Sequence, residues 1–363
     1  MRIGIMTLWK TEFNYGAILQ CYALQEYLRK KGHEPYLIRY SNKKTKRSLR
    51  RFSVSKAINL IRDYYRGFKK RKIMDFSREF ELFREKYIDV SEKEYVGYES
   101  LKNNPPEADM YIVGSDQVWN FYKTPIEYSR DPIHAFFLDF GNKEIKKVSY
   151  AASWDRQYLL DCHIDEIKPL LKKFDYVSVR EKSGIDACEI CECKNAEWVV
   201  DPTLMLTADE YRKIYNDNSV RYISGKYILI YMVLTQKQVF DVDYIYEFAK
   251  KRNLKVIYVA EDKTDDSYQK YYPTIPEWLY LIDNAEYVVT NSFHGTVFSL
   301  IFHKQYGTIP LDGYSKATNK RIESLCEIFK TKPRFINNKD LEILDISYDA
   351  QYEYKKSGFD AFI

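Results

Sequence analysis

Residues 287–296 read Tyr-Val-Val-Thr-Asn-Ser-Phe-His-Gly-Thr and lead into a second apolar run that ends at Phe302. A short apolar run, a polar turn and a further apolar run of helical length predict one strand-to-helix unit of a parallel α/β sheet. Such a turn leaves backbone N–H groups at the positive end of the helix dipole, here beside His294. The segment therefore predicts a fold class and an anion-binding site together.

Comparable units recur along the chain. A helical pattern runs from about Ala17 to Lys31, and a second series of units begins after residue 205. The predicted strands are Arg2–Thr7, Pro35–Tyr40, Met110–Gly114, Lys147–Ala151, Tyr176–Val179, Trp198–Val200, Tyr227–Met232, Leu254–Ala260 and Tyr287–Asn291. Two successive series predict an α/β protein of two Rossmann-like domains facing a cleft, where ligands gather at the carboxyl ends of the strands.

Length and pattern set the expected domain boundaries. A chain of 363 residues exceeds what one hydrophobic core usually supports. We place the first domain at 1–205, the second at 206–336, and a tail at 337–363 that we expect to pack back on the first domain. Residues 41–90 carry no strand pattern, and we expect them to form a helical basic insertion in the first domain.

This insertion concentrates positive charge. The net charge of the whole chain is +5, too small to predict nucleic-acid binding. Residues 41–73 alone hold thirteen Lys and Arg against one Asp, a local net charge of +12. Apolar residues recur among them at helical spacing, which is typical of a helix packed on the protein's own core and also of one lying on anionic lipid. Peripheral membrane contact through 41–73 is therefore one hypothesis.

The composition is that of a globular protein rich in tyrosine. Hydrophobic residues make up 45% and charged residues 30%, with 13 Gly and 11 Pro, which excludes collagen-like, disordered and small disulfide-bonded classes. The 34 Tyr suit contact with sugars, because each offers a flat apolar face and a hydroxyl. We find no signal peptide and no window near the ~20 apolar residues of a spanning helix, so we expect a cytoplasmic protein with reduced cysteines.

Two polar clusters follow predicted strands of the first domain. Ser115, Asp116, Gln117 and Trp119 come directly after an apolar run, which is typical of a sugar-contact loop and equally of an Asx-turn with the Trp in the core. Arg180 ends another predicted strand. An arginine at this position either binds the phosphate or carboxylate of a ligand with two hydrogen bonds, or pairs with Glu181 at the surface.

The second domain offers two candidate groups and the chain one cysteine cluster. His294 is a proton-transfer group or a packed, helix-capping histidine. Residues 315–321 are basic and polar at a predicted helix start and hold phosphate or form a solvated cap. The three thiols of residues 188–193 match no usual zinc spacing, so we expect no metal and a structural role for Cys188, Cys191 and Cys193. The glycine-rich signatures of NTPases and dinucleotide-binding proteins are absent, as is the nucleophile motif of α/β hydrolases.

Several of these segments, in this order, carry a resemblance to a known family. They are residues 14–25 (NYGAILQCYALQ), 111–120 (YIVGSDQVWN), 149–153 (SYAAS), 178–184 (SVREKSG), 200–204 (VDPTL) and 290–296 (TNSFHGT). Over roughly residues 1–330 the chain resembles the polysaccharide pyruvyl transferase family. The resemblance implies a two-domain, glycosyltransferase-B-like fold. It also implies transfer of a pyruvyl group from phosphoenolpyruvate, as co-substrate and without a cofactor, to two hydroxyls of a sugar, giving a cyclic ketal.

The resemblance assigns roles to residues. It makes His294 the general acid/base. It also makes Arg180 a donor-binding residue. We predict that the donor site further includes Ser292, Gly295, Thr296, Lys316, Lys320 and Arg321, and that the acceptor faces Asn14, Tyr15, Gly16, Ser115, Asp116, Gln117 and Trp119. One position departs from the family, because members often carry Arg two residues before the histidine, where this chain has Ser292.

Three functions follow as hypotheses. The first is a pyruvyl transferase that acts on a cell-envelope or exopolysaccharide glycan, or on its lipid-linked precursor at the inner face of the membrane. The second is a glycosyltransferase that uses a nucleotide-sugar on the same fold, favoured if Ser292 signals the loss of phosphoenolpyruvate recognition. The third is a glycan-binding protein without catalytic activity.

Overall fold

A computed structural model describes residues 1–11, 13–42, 78–121, 124, 126–154, 159–233, 240–260, 266–311, 319–337, 340–350, 352 and 357–363. The strands are β1 (Arg2–Met6), β2 (Glu34–Ser41), β3 (Val90–Val96), β4 (Met110–Val113), β5 (Lys146–Ser149), β6 (Ser178–Val179), β7 (Glu197–Trp198), β8 (Tyr227–Met232), β9 (Lys255–Ala260), β10 (Tyr287–Thr290) and β11 (Gln305–Thr308). The α-helices are α1 (Tyr15–Lys30), α2 (Phe80–Tyr87), α3 (Tyr98–Asn103), α4 (Ile126–Phe136), α5 (Asp161–Leu171), α6 (Lys182–Ile190), α7 (Ala208–Asn216), α8 (Asp243–Lys251), α9 (Ile275–Asp283), α10 (Phe293–Ile301) and α11 (Asn319–Ile328). Short 3₁₀ helices span Pro202–Met205, Leu341–Asp345 and Gly358–Ala361.

Nine of the described strands form two parallel sheets, and β6 and β7 form a separate parallel pair. The first has the order β3-β2-β1-β4-β5 and the second the order β11-β10-β8-β9. Central strands such as β4 and β8 are buried along their whole length, as expected where helices cover both faces of a parallel sheet. The prediction of an α/β fold with two Rossmann-like domains is confirmed.

The edge strand β3 was not predicted. Its sequence Val-Ser-Glu-Lys-Glu-Tyr-Val buries only Ser91 and Tyr95, so it carries no apolar run that would mark it as a strand. Charged side chains on an edge strand protect its unpaired backbone groups from other chains. Of the predicted helical insertion at 41–90, the structure describes α2 and the start of β3, while residues 43–77 lie outside the described part of the chain.

The short strands β6 and β7 continue the first sheet toward the second. They pair in parallel, and a bridge between Ala152 and Val179 joins them to the segment that follows β5. Arg180 follows β6 directly, and the first 3₁₀ helix begins four residues after Trp198. These strands therefore bring their carboxyl ends to the boundary between the two domains.

An aromatic contact joins the two domains at the start of α1. The Tyr15 ring is fully buried and stacks on Trp278 of α9, with 5.1 Å between ring centroids and 7° between ring planes. The Tyr15 hydroxyl donates a hydrogen bond of 2.7 Å to the carbonyl of Pro273. Stacked aromatic pairs contribute about 0.5–1.5 kcal/mol beyond their buried area. The first turn of α1 is thus fixed against the second domain.

The C-terminal segment touches both domains. Leu344 is buried in the core of the second sheet, whereas Phe359 is buried beside the first, with its ring 4.6 Å from that of Tyr150. Lys31 at the end of α1 forms an ion pair of 3.4 Å with Asp360. Among the described residues, no helix has the length and apolar character needed to cross a membrane.

Candidate active site

A buried carboxylate stands where the carboxyl ends of the two sheets meet. Asp201 Oδ2 accepts hydrogen bonds from Ser115 Oγ, which follows β4, and from Arg180 Nη1, which follows β6, each at 3.0 Å. The side chains of Arg180 and Asp201 are 1% and 0% exposed. The same oxygen lies 3.6 Å from His294 Nε2, at the start of α10. One carboxylate therefore joins three segments of the first domain to the histidine of the second.

Local sequence fixes the orientation of this carboxylate. Asp201 is the N-cap of the 3₁₀ helix Pro202–Met205, and its Oδ1 accepts hydrogen bonds from the Thr203 N–H at 3.0 Å and from Thr203 Oγ1 at 2.7 Å. Proline in the first position of a helix has no N–H to satisfy and a backbone angle suited to the turn. With Oδ1 held by the cap, Oδ2 remains for Arg180 and His294.

The start of α10 is shaped by small residues. Ser292 caps the helix, since its Oγ accepts a hydrogen bond of 3.3 Å from the Gly295 N–H. A Cβ on Gly295 would lie 2.4 Å from Thr290 Oγ1, so only glycine lets the helix pack this closely on β10. Thr296 donates through Oγ1 to the Ser292 carbonyl at 3.1 Å. These contacts hold His294 in the first turn, near the positive end of the helix dipole.

Gly16 lets the histidine approach α1. A Cβ built on Gly16 would lie 2.0 Å from His294 Nδ1 and 2.1 Å from its Cγ, far inside van der Waals contact. The imidazole therefore lies directly against the backbone of α1 on one side and faces Asp201 on the other. It is 6% exposed.

The buried polar groups of Arg180 and His294 are not fully satisfied. In the described part of the chain, no hydrogen-bond partner lies within reach of Arg180 Nε, Arg180 Nη2 or His294 Nε2. The Glu181 carboxylate accepts a hydrogen bond of 2.7 Å from the Trp154 N–H, and its ion pair with Arg180 Nε is long, at 3.9 Å. A buried donor without a partner costs about 1–3 kcal/mol, and native proteins retain few of them. Such groups are typical of a site that an anionic ligand completes.

Electrostatics keep the carboxylate charged. Burial by itself would raise the pKa of Asp201, but the facing His294, the Arg180 guanidinium and the Thr203 hydrogen bonds hold it far below its usual range. Burial would likewise lower the pKa of Arg180, and the charges of Asp201, Glu181 and Asp116 raise it instead. The ion pair therefore stays charged at neutral pH.

A second guanidinium lies close to the first. Arg180 and Arg321 both lie over the Phe293 ring, with their Cζ atoms 4.7 and 5.6 Å from its centroid. Phe293 is the first residue of α10, and Arg321 is a buried residue of α11. Two arginines thus flank the helix turn that carries His294, which makes this region strongly attractive to anions.

The comparison with known families decides the classification of the chain. The family model of polysaccharide pyruvyl transferases matches residues 14–306, which is most of the sequence and includes every residue of the Asp201 cluster. The chain belongs to the polysaccharide pyruvyl transferase family. It is therefore a member of an enzyme family that acts in polysaccharide biosynthesis.

Two solved structures similar to this pyruvyl transferase family member are complexes with nucleotides. One is the UDP-GlcNAc 2-epimerase of Methanocaldococcus jannaschii in complex with UDP-GlcNAc and UDP, with a TM-score of 0.49, 13% identity and coverage of 98% of this chain and 95% of that chain. Another is the glycosyltransferase SsfS6 of Streptomyces sp. SF2575 complexed with thymidine diphosphate, with a TM-score of 0.37, 10% identity and coverage of 95% and 89%. Similarity at this level assigns no ligand to the chain. A search of curated protein sequences finds no match.

The residues implied for the donor side fall around the start of α10. Arg180, Ser292, Gly295, Thr296 and Arg321 lie together there, as described above. Lys320 is exposed in the first turn of α11, and Lys316 lies outside the described residues.

The residues implied for the acceptor side divide into two groups. Asn14 and Asp116 line a cavity of about 340 Å³ beside α1, together with Trp9, Tyr40 and Phe136. Gly16 and Ser115 lie deeper, at His294 and Asp201.

The other residues predicted for the acceptor side, Tyr15, Trp119 and Gln117, do not line this cavity. Tyr15 is in the interdomain core, and the buried Trp119 indole donates a hydrogen bond of 3.1 Å to the Phe136 carbonyl. Gln117 accepts a hydrogen bond of 3.2 Å from the Asn120 amide.

Sequence reasoning missed the central residue of the site. It included Asp201 only within the family segment 200–204, although the Asp201 carboxylate contacts Arg180 and Ser115 and faces His294. A signal was available, because Asp201 follows an apolar strand and precedes proline, which is also the place where a parallel sheet gathers its functional groups.

We predict that Gly16→Ala displaces the His294 ring. The added methyl group overlaps the imidazole, so the ring or the start of α1 must move, at a cost of about 1–3 kcal/mol in the free energy of unfolding. Nitrogen-15 NMR of the imidazole side chain, together with urea denaturation, measures both effects. The matched control is Gly114→Ala, whose Cβ would meet Thr7 at an ordinary 3.4 Å. Unchanged His294 resonances in Gly16→Ala would contradict the packing described.

We predict a pH-dependent penalty for Asp201→Asn. At pH 7 the substitution leaves Arg180 buried without its partner and lowers the free energy of unfolding by about 3–5 kcal/mol. Because the folded-state pKa of Asp201 is depressed, its contribution is complete above the unfolded pKa of about 3.9 and is lost as the pH falls. Urea denaturation at pH 7, 4 and 3 measures the difference from wild type, which should change little between pH 7 and 4 and narrow by about 1 kcal/mol at pH 3.

The exposed Asp209 supplies the control, since its side chain is 83% exposed. Asp209→Asn should change the free energy of unfolding by no more than about 0.5 kcal/mol at each pH. A difference between Asp201→Asn and wild type that stays constant or widens between pH 4 and 3 would show that the ion pair is not held as described.

Proposed function

We propose that this chain transfers a pyruvyl group from phosphoenolpyruvate to hydroxyls of a sugar in a cell-envelope or exopolysaccharide glycan, forming a ketal. The observation that carries the proposal is the set of buried donors without hydrogen-bond partners, on Arg180 and His294, at the first turn of α10. Membership of the family supports pyruvyl transfer, and the cationic site supports a small dianionic or trianionic donor.

The donor carries a phosphate and a carboxylate. Arg180 Nε and Nη2 lie on one edge of a planar guanidinium, which matches two oxygens of either group. The N–H groups of the first turn of α10 and the nearby Arg321 supply further positive potential. In this arrangement Arg321 takes the place of the family arginine that is Ser292 here, while Ser292 keeps its role as the helix cap.

The reaction needs a proton at a defined atom. A sugar hydroxyl attacks the second carbon of phosphoenolpyruvate while a proton is added to its methylene carbon, and a second hydroxyl then displaces inorganic phosphate to close the ketal. His294 is the group proposed to move the proton, and the Asp201 carboxylate stabilises the imidazolium form. The first-domain cavity that includes Asn14 and Asp116 is the proposed acceptor site, where the Trp9 ring offers a flat face to a sugar.

We predict that substitutions of His294 and Arg180 affect different steps, the first lowering turnover and the second weakening donor binding. His294→Gln should lower turnover by about 10²–10⁴-fold and leave the binding of phosphoenolpyruvate intact. Arg180→Lys keeps the charge but loses the planar fork, so it should weaken that binding at least about tenfold. Calorimetry measures binding, and release of inorganic phosphate in the presence of extracted glycan lipids measures turnover.

A control variant and a nucleotide-sugar ligand distinguish the three hypotheses. Arg212→Lys changes an arginine that is 39% exposed and pairs with Asp209 and Asp283, and it should leave donor binding unchanged. Saturable binding of UDP-GlcNAc without binding of phosphoenolpyruvate would favour the glycosyltransferase. If the protein binds glycan but neither phosphoenolpyruvate nor UDP-GlcNAc, that result would favour a non-catalytic glycan-binding protein.

We also propose that residues 41–73 dock the enzyme on anionic membranes at the inner face, where lipid-linked glycans are available. The support is the local net charge of +12 in the sequence, since each basic residue near such a surface contributes about 1 kcal/mol. Co-sedimentation with anionic vesicles at low salt should pellet the protein. High salt, or neutralisation of residues 69–72, should release it. No pelleting at low salt would remove the proposal and leave the transferase proposal unaffected.

A further inference from the structure

The end of α6 brings two thiols together. Glu192 adopts a left-handed backbone conformation with φ of 61°, and the Cys193 N–H donates a hydrogen bond of 2.9 Å to the Cys188 carbonyl. The Glu192 N–H donates another of 2.9 Å to the Glu189 carbonyl. This pair of bonds is the Schellman helix end, in which the residues here occupied by Cys188 and Cys193 place their side chains in contact. An apolar contact usual at this position is replaced by a thiol pair.

The two thiols differ in environment. Cys188 is fully buried, whereas Cys193 is partly exposed and lines a cavity of about 410 Å³ together with Lys172, Lys194 and Tyr176. Cys191 also lines the cavity but is 1% exposed, so a molecule in the cavity reaches the more exposed Cys193 first. The cavity lies at the far end of α6 from Arg180, outside the site of the proposed transfer.

The contact also makes the outer thiol acidic. The hydrogen bond from the Cys188 thiol outweighs burial and lowers the pKa of Cys193 to about 7. That same bond and burial raise the pKa of Cys188 well above its usual range. The third cysteine of the segment, Cys191, is buried, and burial raises its pKa to about 12. Near neutral pH, Cys193 is thus the thiolate of this segment and its neighbours remain thiols.

We propose that Cys193 and Cys188 form a reversible redox site, in which Cys193 reacts with a peroxide that enters the cavity and Cys188 resolves the product as an intrachain disulfide. This site is separate from the transfer chemistry and does not rest on the proposed function. The third thiol of the segment, Cys191, takes no part.

The steps balance in atoms and electrons. The Cys193 thiolate attacks one oxygen of hydrogen peroxide, the O–O bond breaks, and hydroxide leaves as water after taking a proton, which gives a sulfenic acid. The Cys188 sulfur then attacks the Cys193 sulfur, the S–O bond breaks, and the departing hydroxide takes the Cys188 proton to form a second water. Two thiols lose two electrons, and one peroxide is reduced to two waters. A thiol reductant reverses the reaction.

Alkylation kinetics test the acidic thiol. In the wild type, iodoacetamide labelling of Cys193, followed by mass spectrometry of its peptide, should reach half its maximal rate near pH 7. Cys188→Ala removes the hydrogen-bond donor and should move that midpoint to higher pH. Cys188→Ser keeps a donor and should retain most of the shift. Labelling of the exposed Cys162 serves as the internal control for reagent activity in every sample.

Peroxide treatment tests the disulfide. One equivalent of hydrogen peroxide should link Cys188 to Cys193 in the wild type, seen as a cross-linked peptide lighter by two hydrogens and restored by a thiol reductant. In Cys188→Ser, Cys193 should instead stop at the sulfenic acid and react with dimedone. Either of two wild-type results overturns the proposal: a labelling midpoint for Cys193 no lower than that for Cys162, or oxidation of Cys193 without the cross-link.

Discussion

The buried carboxylate of Asp201 is the interaction on which the site depends. It neutralises Arg180 inside the protein, receives the Ser115 hydroxyl and faces His294 across the domain boundary. Without this charge, a guanidinium that is 1% exposed would bear a desolvation penalty of several kcal/mol. The cap formed with Thr203 explains why a short Asp-Pro-Thr segment holds its carboxylate so firmly. The two domains meet at this point because one carboxylate faces side chains from both.

Burial of the Arg180–Asp201 ion pair has a desolvation cost, and side-chain packing alone does not explain why the protein bears it. An apolar cluster of the same volume is often as stable as a buried ion pair, so the ion pair with its unsatisfied donors is not explained by stability. The same constraint explains the small residues around the histidine. Gly16 and Gly295 remove side chains where α1 and β10 approach the ring. Charge and close packing therefore act together to set one orientation of His294.

The sequence was most informative where local pattern and burial coincide. Apolar runs such as Tyr227–Met232 and the turn at Thr290–Thr296 predict the strands and the helix start that the structure has. The edge strand β3 escaped prediction, because its exposed side chains are charged and its backbone is paired only with β2. Asp201 escaped because its partners are distant in sequence, as with Ser115, 86 residues away. Aromatic residues after strands were ambiguous in the same way, since Tyr15 and Trp119 suit a sugar site as well as a core.

The C-terminal segment gives the molecule a second connection between its halves. The chain passes from the first domain to the second after Asp201, and it returns between Leu344, buried in the second, and Phe359, buried in the first. A protein with two such crossings is restricted to hinge rotation about the line that joins them. Arg180 and His294 are only 3% and 6% exposed, and such a rotation would widen the gap between the halves that covers them. In the proposed transferase, the rate of that opening would set an upper limit on the rate of product release.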